Sequence, residues 1–283
     1  MKDLVKRLLL EWGYMVLKVP ETGSVKINDY EGFIREINKH NIKYTSIRDS
    51  IKDYEIVKKN SMVPFENLAS LYEQVKMVEE MEIAGDFVEC GVWKGGSIGM
   101  MALANMRYGK KRRHLHLFDA FEDICAPDPL IDGARALRES QAFLKKDSPT
   151  LAEKPVPMTG FYDFLGGHGT IAECRDLLFN RIHYDENFIH FYKGWFQDTF
   201  RKHEGEIEKI AILRLDGDWY ESTRLSLEYF YEKVQEGGIV IIDDYGTYEG
   251  CKKAVDEFFQ KRNIKKHLFN AYSLNAECFY LIK

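Results

Sequence analysis

The chain has 283 residues, 45% of them hydrophobic and 30% charged, with a formal net charge of −5. Such a balance belongs to a globular chain of one large or two small domains, able to bury a core without disulfides or structural metals. It excludes a collagen-like repeat, a disordered tail and, with no apolar run near the roughly 20 residues that span a bilayer, a membrane-spanning bundle; an acidic chain also gives no reason to expect nucleic acid as a partner.

The N-terminus is basic and then apolar, with Leu4, Leu8 and Trp12 at helical spacing. Glu11 interrupts it and no small-residue cleavage site follows, so an amphipathic helix is expected rather than a signal peptide, and the expected location is cytoplasmic. The five cysteines (Cys90, Cys125, Cys174, Cys251 and Cys278) are dispersed, without a C-x-x-C pair, and read as free thiols in a reducing compartment. Residues 1–60 are expected to form a helical extension or cap, ending at the break Asn60-Ser61-Met62-Val63-Pro64. A helix is predicted over about 65–83, where Leu68, Leu71, Tyr72, Val75 and Val78 share a face.

From Asp86 short apolar strands alternate with helices. Strands are predicted at 86–91, 115–119, 189–193, 210–215 and 239–242, with two more near 267–272 and 277–282. Helices are predicted after the first strand to about 106, and over 171–179, 221–234 and 250–262, with Gly237-Gly238 as the stop of the third. The basic run from Lys110 to His114 reads as a solvated loop ahead of a strand. Residues 120–170, rich in Pro, Gly and Asp, are expected to be irregular. Continuous apolar strands between helices imply an α/β fold, a mostly parallel sheet covered on both faces with an antiparallel hairpin at the C-terminal edge. Ligands of such sheets bind beyond the carboxyl ends of the strands.

The strand ends are therefore the positions to read. Gly91-Val92-Trp93-Lys94-Gly95-Gly96-Ser97 follows the first strand; it is either a turn that lets a ligand approach the backbone or a plain strand-to-helix turn. It is neither G-x-G-x-x-G nor a phosphate-binding loop. Asp119, thirty positions after Glu89, could accept hydrogen bonds from ribose hydroxyls. Asp216, Asp218, Asp243 and Asp244 end two further strands. They call for a hard divalent cation such as Mg²⁺ or Ca²⁺, unless they cap the helices that follow. The eight histidines form no zinc motif, and His168 sits in a glycine-rich loop. Trp195, Phe196 and Trp219 could stack on a flat ligand or pack against helices.

The segments Phe87–Ser97, Phe118–Glu122, Gly194–Thr199, Asp216–Thr223 and Asp243–Tyr245, in this order, resemble the macrocin O-methyltransferase (TylF-type) family. The resemblance runs from about Ser61 to the C-terminus. It implies a Rossmann-like class I methyltransferase fold and transfer of a methyl group from S-adenosylmethionine (SAM) to a sugar hydroxyl, assisted by Mg²⁺. Carried over by motif, Glu89, Gly91, Val92, Trp93 and Ser97 would line the methionine end of SAM, with Ser61 and Met62 closing over it. Asp119 would hold the ribose, Thr170 would lie at the adenine end, and Trp195 would lie on the cofactor's side. Asp216, Asp243 and Asp244 would ligate the metal, and Asp218, beside Asp216, would be the general base. The acceptor would be a small sugar or glycoside, with neither nucleic acid nor membrane as partner, and the protein a homo-oligomer. Where the family has a short Phe-Asp-Ser-Phe-Glu-Gly-Leu-Pro stretch, this chain has Phe-Asp-Ala-Phe-Glu-Asp-Ile-Cys and a long segment. Residues 122–169 therefore read as a substrate lid. A catechol-type O-methyltransferase, a nicotinamide-dependent oxidoreductase and a non-catalytic binding module are the rival readings.

Overall fold

A computed structural model describes residues 45–141, 155–271 and 277–283; the amphipathic helix expected around Leu4–Trp12 lies outside them. Seven strands form one sheet: β1 (Asp86–Cys90), β2 (Leu115–Asp119), β3 (Ile189–Lys193), β4 (Ile210–Leu215), β5 (Val234–Ile242), β6 (Phe269–Asn270) and β7 (Phe279–Ile282). Their order is β3-β2-β1-β4-β5-β7-β6. The first five are parallel, and β7 is antiparallel to both β5 and β6. The chain thus starts mid-sheet, runs outward to β3, and returns to lay β4 beside β1. That reversal opens a crevice between β1 and β4 at their carboxyl ends, the topological switch point of an open α/β sheet.

The apolar strand runs follow from burial on both faces. Phe87, Leu115, Leu117, Ile212 and Ile241 face one layer, where Leu68 and Tyr72 of α2 (Phe65–Glu80) and Ile98 and Met101 of α3 (Gly96–Tyr108) pack. Their strand neighbours Val88, Phe118, Leu213 and Ile242 face the other, with Phe200, Leu227, Phe230 and Phe259. An additional helix, α1 (Ile47–Val57), joins the first layer through Val57. Its buried Asp53 accepts from the Tyr72 hydroxyl at 2.5 Å and pairs with Arg107 at 3.1 Å.

Several elements depart from the sequence reading. The predicted helix at 171–179 is α-helical only over Ile171–Arg175 (α5) and widens into a π-helical turn over Asp176–Arg181. The helix predicted to end at Gly237-Gly238 is α7 (Tyr220–Phe230), followed by a 3₁₀ turn. Those glycines lie inside β5, where the Gly237 amide donates to the Lys283 carbonyl at 2.8 Å. They are strand residues at a close backbone approach, not a helix stop: a Cβ on Gly238 would lie 3.0 Å from the Ala211 carbonyl oxygen. Arg113, read as part of a solvated loop, is buried. It makes two bonds to Glu79, at 2.9 and 3.0 Å, and two to the Ile83 and Gly85 carbonyls. Two short helices were not anticipated, α4 (Gly133–Ser140) and α6 (Phe196–His203). The last helix, α8 (Glu249–Lys261), agrees closely with the expected span.

Candidate active site

The turn after β1 is held in a left-handed path, with φ of 90° at Gly91, 49° at Trp93 and 89° at Gly95. At Gly91 glycine is obligatory, since a Cβ there would lie 1.8 Å from the Asp216 carbonyl oxygen at the end of β4. Asp119 fastens the turn: its carboxylate accepts from the Val92 and Trp93 amides at 2.7 and 2.9 Å, and from the Phe121 amide at 2.5 Å. The residue expected to hold ribose therefore also organises the backbone that a ligand would approach.

Beneath the turn lies a charge cluster centred on a residue the sequence reading missed. Arg214, 2% exposed, places Nη1 at 2.9 Å from Glu89 Oε1 and 2.7 Å from Asp216 Oδ2. Its Nη2 forms an ion pair with Asp243 at 2.8 Å, without hydrogen-bond alignment. The strand Ile210-Ala211-Ile212-Leu213-Arg214-Leu215 carries the signal, a lone cation in an apolar run.

One guanidinium shares this region with five carboxylates: Glu89, Asp216, Asp218, Asp243 and Asp244. Burial pushes Glu89 up to about 8 against the pull of Arg214, and Asp216 up to about 7. Asp218 and Asp244 are driven well above the carboxylate range by burial and by their acidic neighbours. Oxygens of Asp216, Asp243 and Asp244 lie within 4.8 Å of one another. That all-oxygen set suits a hard cation, and the negative excess favours one.

The capping alternative does not apply here. Helices α7 and α8 begin at Trp219 and Tyr248 with no side-chain cap of their own, and the Tyr220 amide at the start of α7 donates to Asp132 at 2.7 Å. Asp218 sits at φ 59°, a strained region for a residue with a Cβ, and its amide donates to Asp244 at 3.3 Å.

A cavity of about 710 Å³ opens at these strand ends. Among the expected site residues, Met62, Gly91, Trp93, Asp119, Trp195, Asp216 and Asp218 line it. Glu89, Val92 and Ser97 are buried behind the wall. Ser61 is turned back to accept from the Val63 amide at 3.0 Å. Thr170 is engaged in a capping box with Glu173 at the start of α5. Two buried polar atoms near the turn, Glu89 Oε2 and Trp93 Nε1, find no protein partner among the described residues. Of the two, Trp93 lines the cavity and Glu89 lies behind its wall, and a buried polar atom of this kind calls for a further partner.

The described parts of 122–169 form one wall. The Ala126 amide donates to the Val156 carbonyl at 2.9 Å and the Met158 amide to the Ile124 carbonyl at 2.8 Å, and Ala136 and Met158 pack on Trp219. Trp219 is held in place by Nε1 donating to the Cys125 carbonyl at 2.9 Å and by an edge contact with Tyr248. Phe196 stacks on Phe200, 4.6 Å between centroids. His168 stands 4.0 Å from Asp123, and no helix among the described residues is long and apolar enough to cross a membrane.

Comparison with known proteins agrees with this architecture. The family of macrocin O-methyltransferases (TylF) matches residues 17–152 and 171–280, so the similarity begins well before Ser61. Demethyldecarbamoylnovobiocin O-methyltransferase of Streptomyces niveus is 32% identical over 209 residues, 74% of this chain and 71% of the relative. A tetracenomycin-type rhamnosyl 4′-O-methyltransferase of Streptomyces olivaceus is 32% identical over 202 residues, 70% of this chain and 67% of that one. The solved structure of the O-methyltransferase NovP superposes with a TM-score of 0.62 at 25% identity, covering 90% of this chain and 99% of that one.

Proposed function

Because the chain belongs to the macrocin O-methyltransferase (TylF) family and is an O-methyltransferase, we propose that it methylates a hydroxyl of a sugar in a glycosylated small molecule, with SAM as donor and Mg²⁺ as the assisting cation. The observation that carries this reading is the set of strand-end acids at one cavity: Asp119, Asp216 and Asp218 line it, and Asp243 and Asp244, which do not, adjoin Asp216 and Asp218.

Glu89, Gly91 and Trp93 would take the methionine end of SAM, where Glu89 Oε2 and Trp93 Nε1 lack partners. Asp119 would meet the ribose with the lone pairs that its three amide donors leave free. SAM supplies an activated methyl group. Mg²⁺ held by Asp216, Asp243 and Asp244 would supply Lewis acidity towards the acceptor oxygen.

The chain's own residues do the rest. Asp218 would accept the hydroxyl proton on its carboxylate, from its place in the cavity wall beside Asp216. Its strained backbone aims the side chain into the cavity wall. The walls built by the described parts of 122–169 exclude water and orient the sugar, and well-aligned orientation alone contributes up to about 7–11 kcal/mol to a barrier reduction. This segment acts as the substrate lid, its described parts already seated on Trp219.

Calorimetric titration with S-adenosylhomocysteine tests the donor. Saturable binding at one site per chain is expected, and its absence with and without Mg²⁺ overturns the reading. A glycoside screen with labelled SAM then tests the acceptor. Asp243→Asn is expected to bind S-adenosylhomocysteine like the parent and to lose the turnover that chelation abolishes in the parent; full turnover in that variant removes the metal from the scheme.

A further inference from the structure

We propose that Tyr162 binds the methyl donor through its ring, and that the loop 160–169 which carries it belongs to the donor's half of the cavity. This rests on the reading of the cavity as the site of a SAM-dependent methyltransferase. It concerns a residue outside all five strand-end segments that the sequence singles out.

The loop is built onto the glycine-rich turn after β1. Lys94, on that turn and buried, donates from Nζ to the Leu165 and Gly166 carbonyls, both at 3.2 Å, and stands 3.4 Å from Glu173. Gly169 lies so close to the turn that a Cβ there would be 1.9 Å from the Trp93 carbonyl oxygen, and Cys174 Sγ donates to the same oxygen at 3.5 Å. From the other side Asp123, just beyond β2, accepts from the Gly160 amide at 2.9 Å and from the Tyr162 amide at 3.3 Å. Within the loop the Tyr162 carbonyl accepts from the Leu165 and Gly167 amides, both at 2.9 Å. Tyr162 is therefore held at its amide and at its carbonyl, in a loop tied to the two strand ends that carry the turn and Asp119.

The rings of Phe161 and Tyr162 stand at 90° to each other, 5.2 Å between centroids, and meet different neighbours. Phe161 packs with Trp219, Ala136 and Met158 on the acceptor wall. Tyr162 lies 6.4 Å from the Trp93 ring, and both rings line the cavity with Gly91 and Asp119, the residues that would meet the donor. Burial, then Asp218, Asp119, Asp216 and Asp244, raise the Tyr162 hydroxyl well above the ordinary phenol range, so it stays neutral beside these acids. An aromatic side chain in this place offers the donor apolar contact area and, to a sulfonium, the attraction of a ring face for a cation. The segment after β2 thus divides at Phe161-Tyr162, with the acceptor wall before the division and a cover over the donor after it.

Hydrogen exchange of the parent, with and without S-adenosylhomocysteine, tests the loop without any variant. The ligand is expected to slow exchange in the peptide spanning 160–169 at least tenfold and to leave α4, on the acceptor wall, unchanged; equal protection of both, or of neither, overturns the proposal. Calorimetry then tests the side chain. Tyr162→Ala is expected to bind S-adenosylhomocysteine at least tenfold more weakly, while Tyr162→Phe and the neighbouring Phe161→Ala stay within about threefold of the parent. A Tyr162→Ala variant that binds like the parent overturns the proposal, as does an equal loss in Tyr162→Phe or in Phe161→Ala. Failure of the parent to bind S-adenosylhomocysteine would instead overturn the methyltransferase reading beneath it.

Discussion

Arg214 sits where a charge is costly, in a strand whose other residues are apolar and 2% exposed itself. Its guanidinium offsets that cost by engaging Glu89, Asp216 and Asp243 at 2.7–2.9 Å, joining the β1, β4 and β5 ends through one planar group. Arg214→Met would leave the buried Glu89 and the partly buried Asp216 and Asp243 without their cation. Breaking a buried pair from one side costs about 3–5 kcal/mol, and a loss of that size is expected in urea unfolding at pH 8. The loss should be smaller at pH 6. Glu89 and Asp216 have folded values raised to about 8 and 7, so below those values they carry protons in place of charge and need the arginine less. An unfolding midpoint equal to the parent's at pH 8 would show that Arg214 is not the counter-charge that holds the cluster. The sequence displayed the lone arginine and the acids around it, but pairing between β1, β4 and β5 depends on strand order, which a linear reading does not supply.

At the scale of elements, the segment after β2 reaches across to the loop that carries Asp218. Asp132, 3% exposed, accepts from the Tyr220 amide at 2.7 Å and from the Asp128 amide at 2.7 Å. It thereby caps α7 from outside that helix, while Tyr248 donates to Glu139 at 2.7 Å and Trp219 to Cys125 at 2.9 Å. Gly250 makes room for this, since a Cβ there would lie 2.2 Å from Asp132 Oδ1. Asp132→Ala is expected to lower stability by about 1–2 kcal/mol, the range for a lost cap. It should also lower kcat more than it raises the acceptor KM, because the Asp218 loop loses its tie while the cavity's outer wall remains. S-adenosylhomocysteine binding should not change. An effect on stability with both kinetic constants intact would make Asp132 a structural cap alone. Most of this element was opaque in the sequence. Helix α4 spans only Gly133–Ser140 between turn-forming residues, and its burial of Ala136 against Trp219 joins positions more than eighty apart in the chain.

Across the whole molecule the sheet has a polarity that the sequence shows well and a second end that it hides. The parallel strands are buried on both faces, so each reads as an apolar run with an acid or glycine just beyond it. That is why the strand ends, and with them Asp119, Asp216, Asp218, Asp243 and Asp244, could be found without a structure. The glycines of β5 misled because Gly-Gly after a helix is a common stop, and only the neighbouring backbone of Lys283 and Ala211 shows why they are there. At the amino ends of β2 and β3, far from the cavity, His114 Nδ1 lies 2.8 Å from His190 Nε2. His116 lies between Tyr192, at 3.0 Å, and Asp86, at 3.2 Å, and stacks on His190. Burial, then His116 and His114, depress His190 below its ordinary 6.5, outweighing the opposite pull of Asp86 and Glu206. The unfolded chain therefore takes up a proton at this position at higher pH than the folded chain does. The contribution is fully present above 6.5 and is lost as pH falls through the window between 6.5 and the lower folded value. Unfolding midpoints in urea are thus expected to fall between pH 7 and pH 5, and by less in His190→Gln, which removes the titrating ring while S-adenosylhomocysteine binding at the opposite end of the sheet persists. An equal fall in the variant and the parent would show that His190 is not a source of the acid sensitivity.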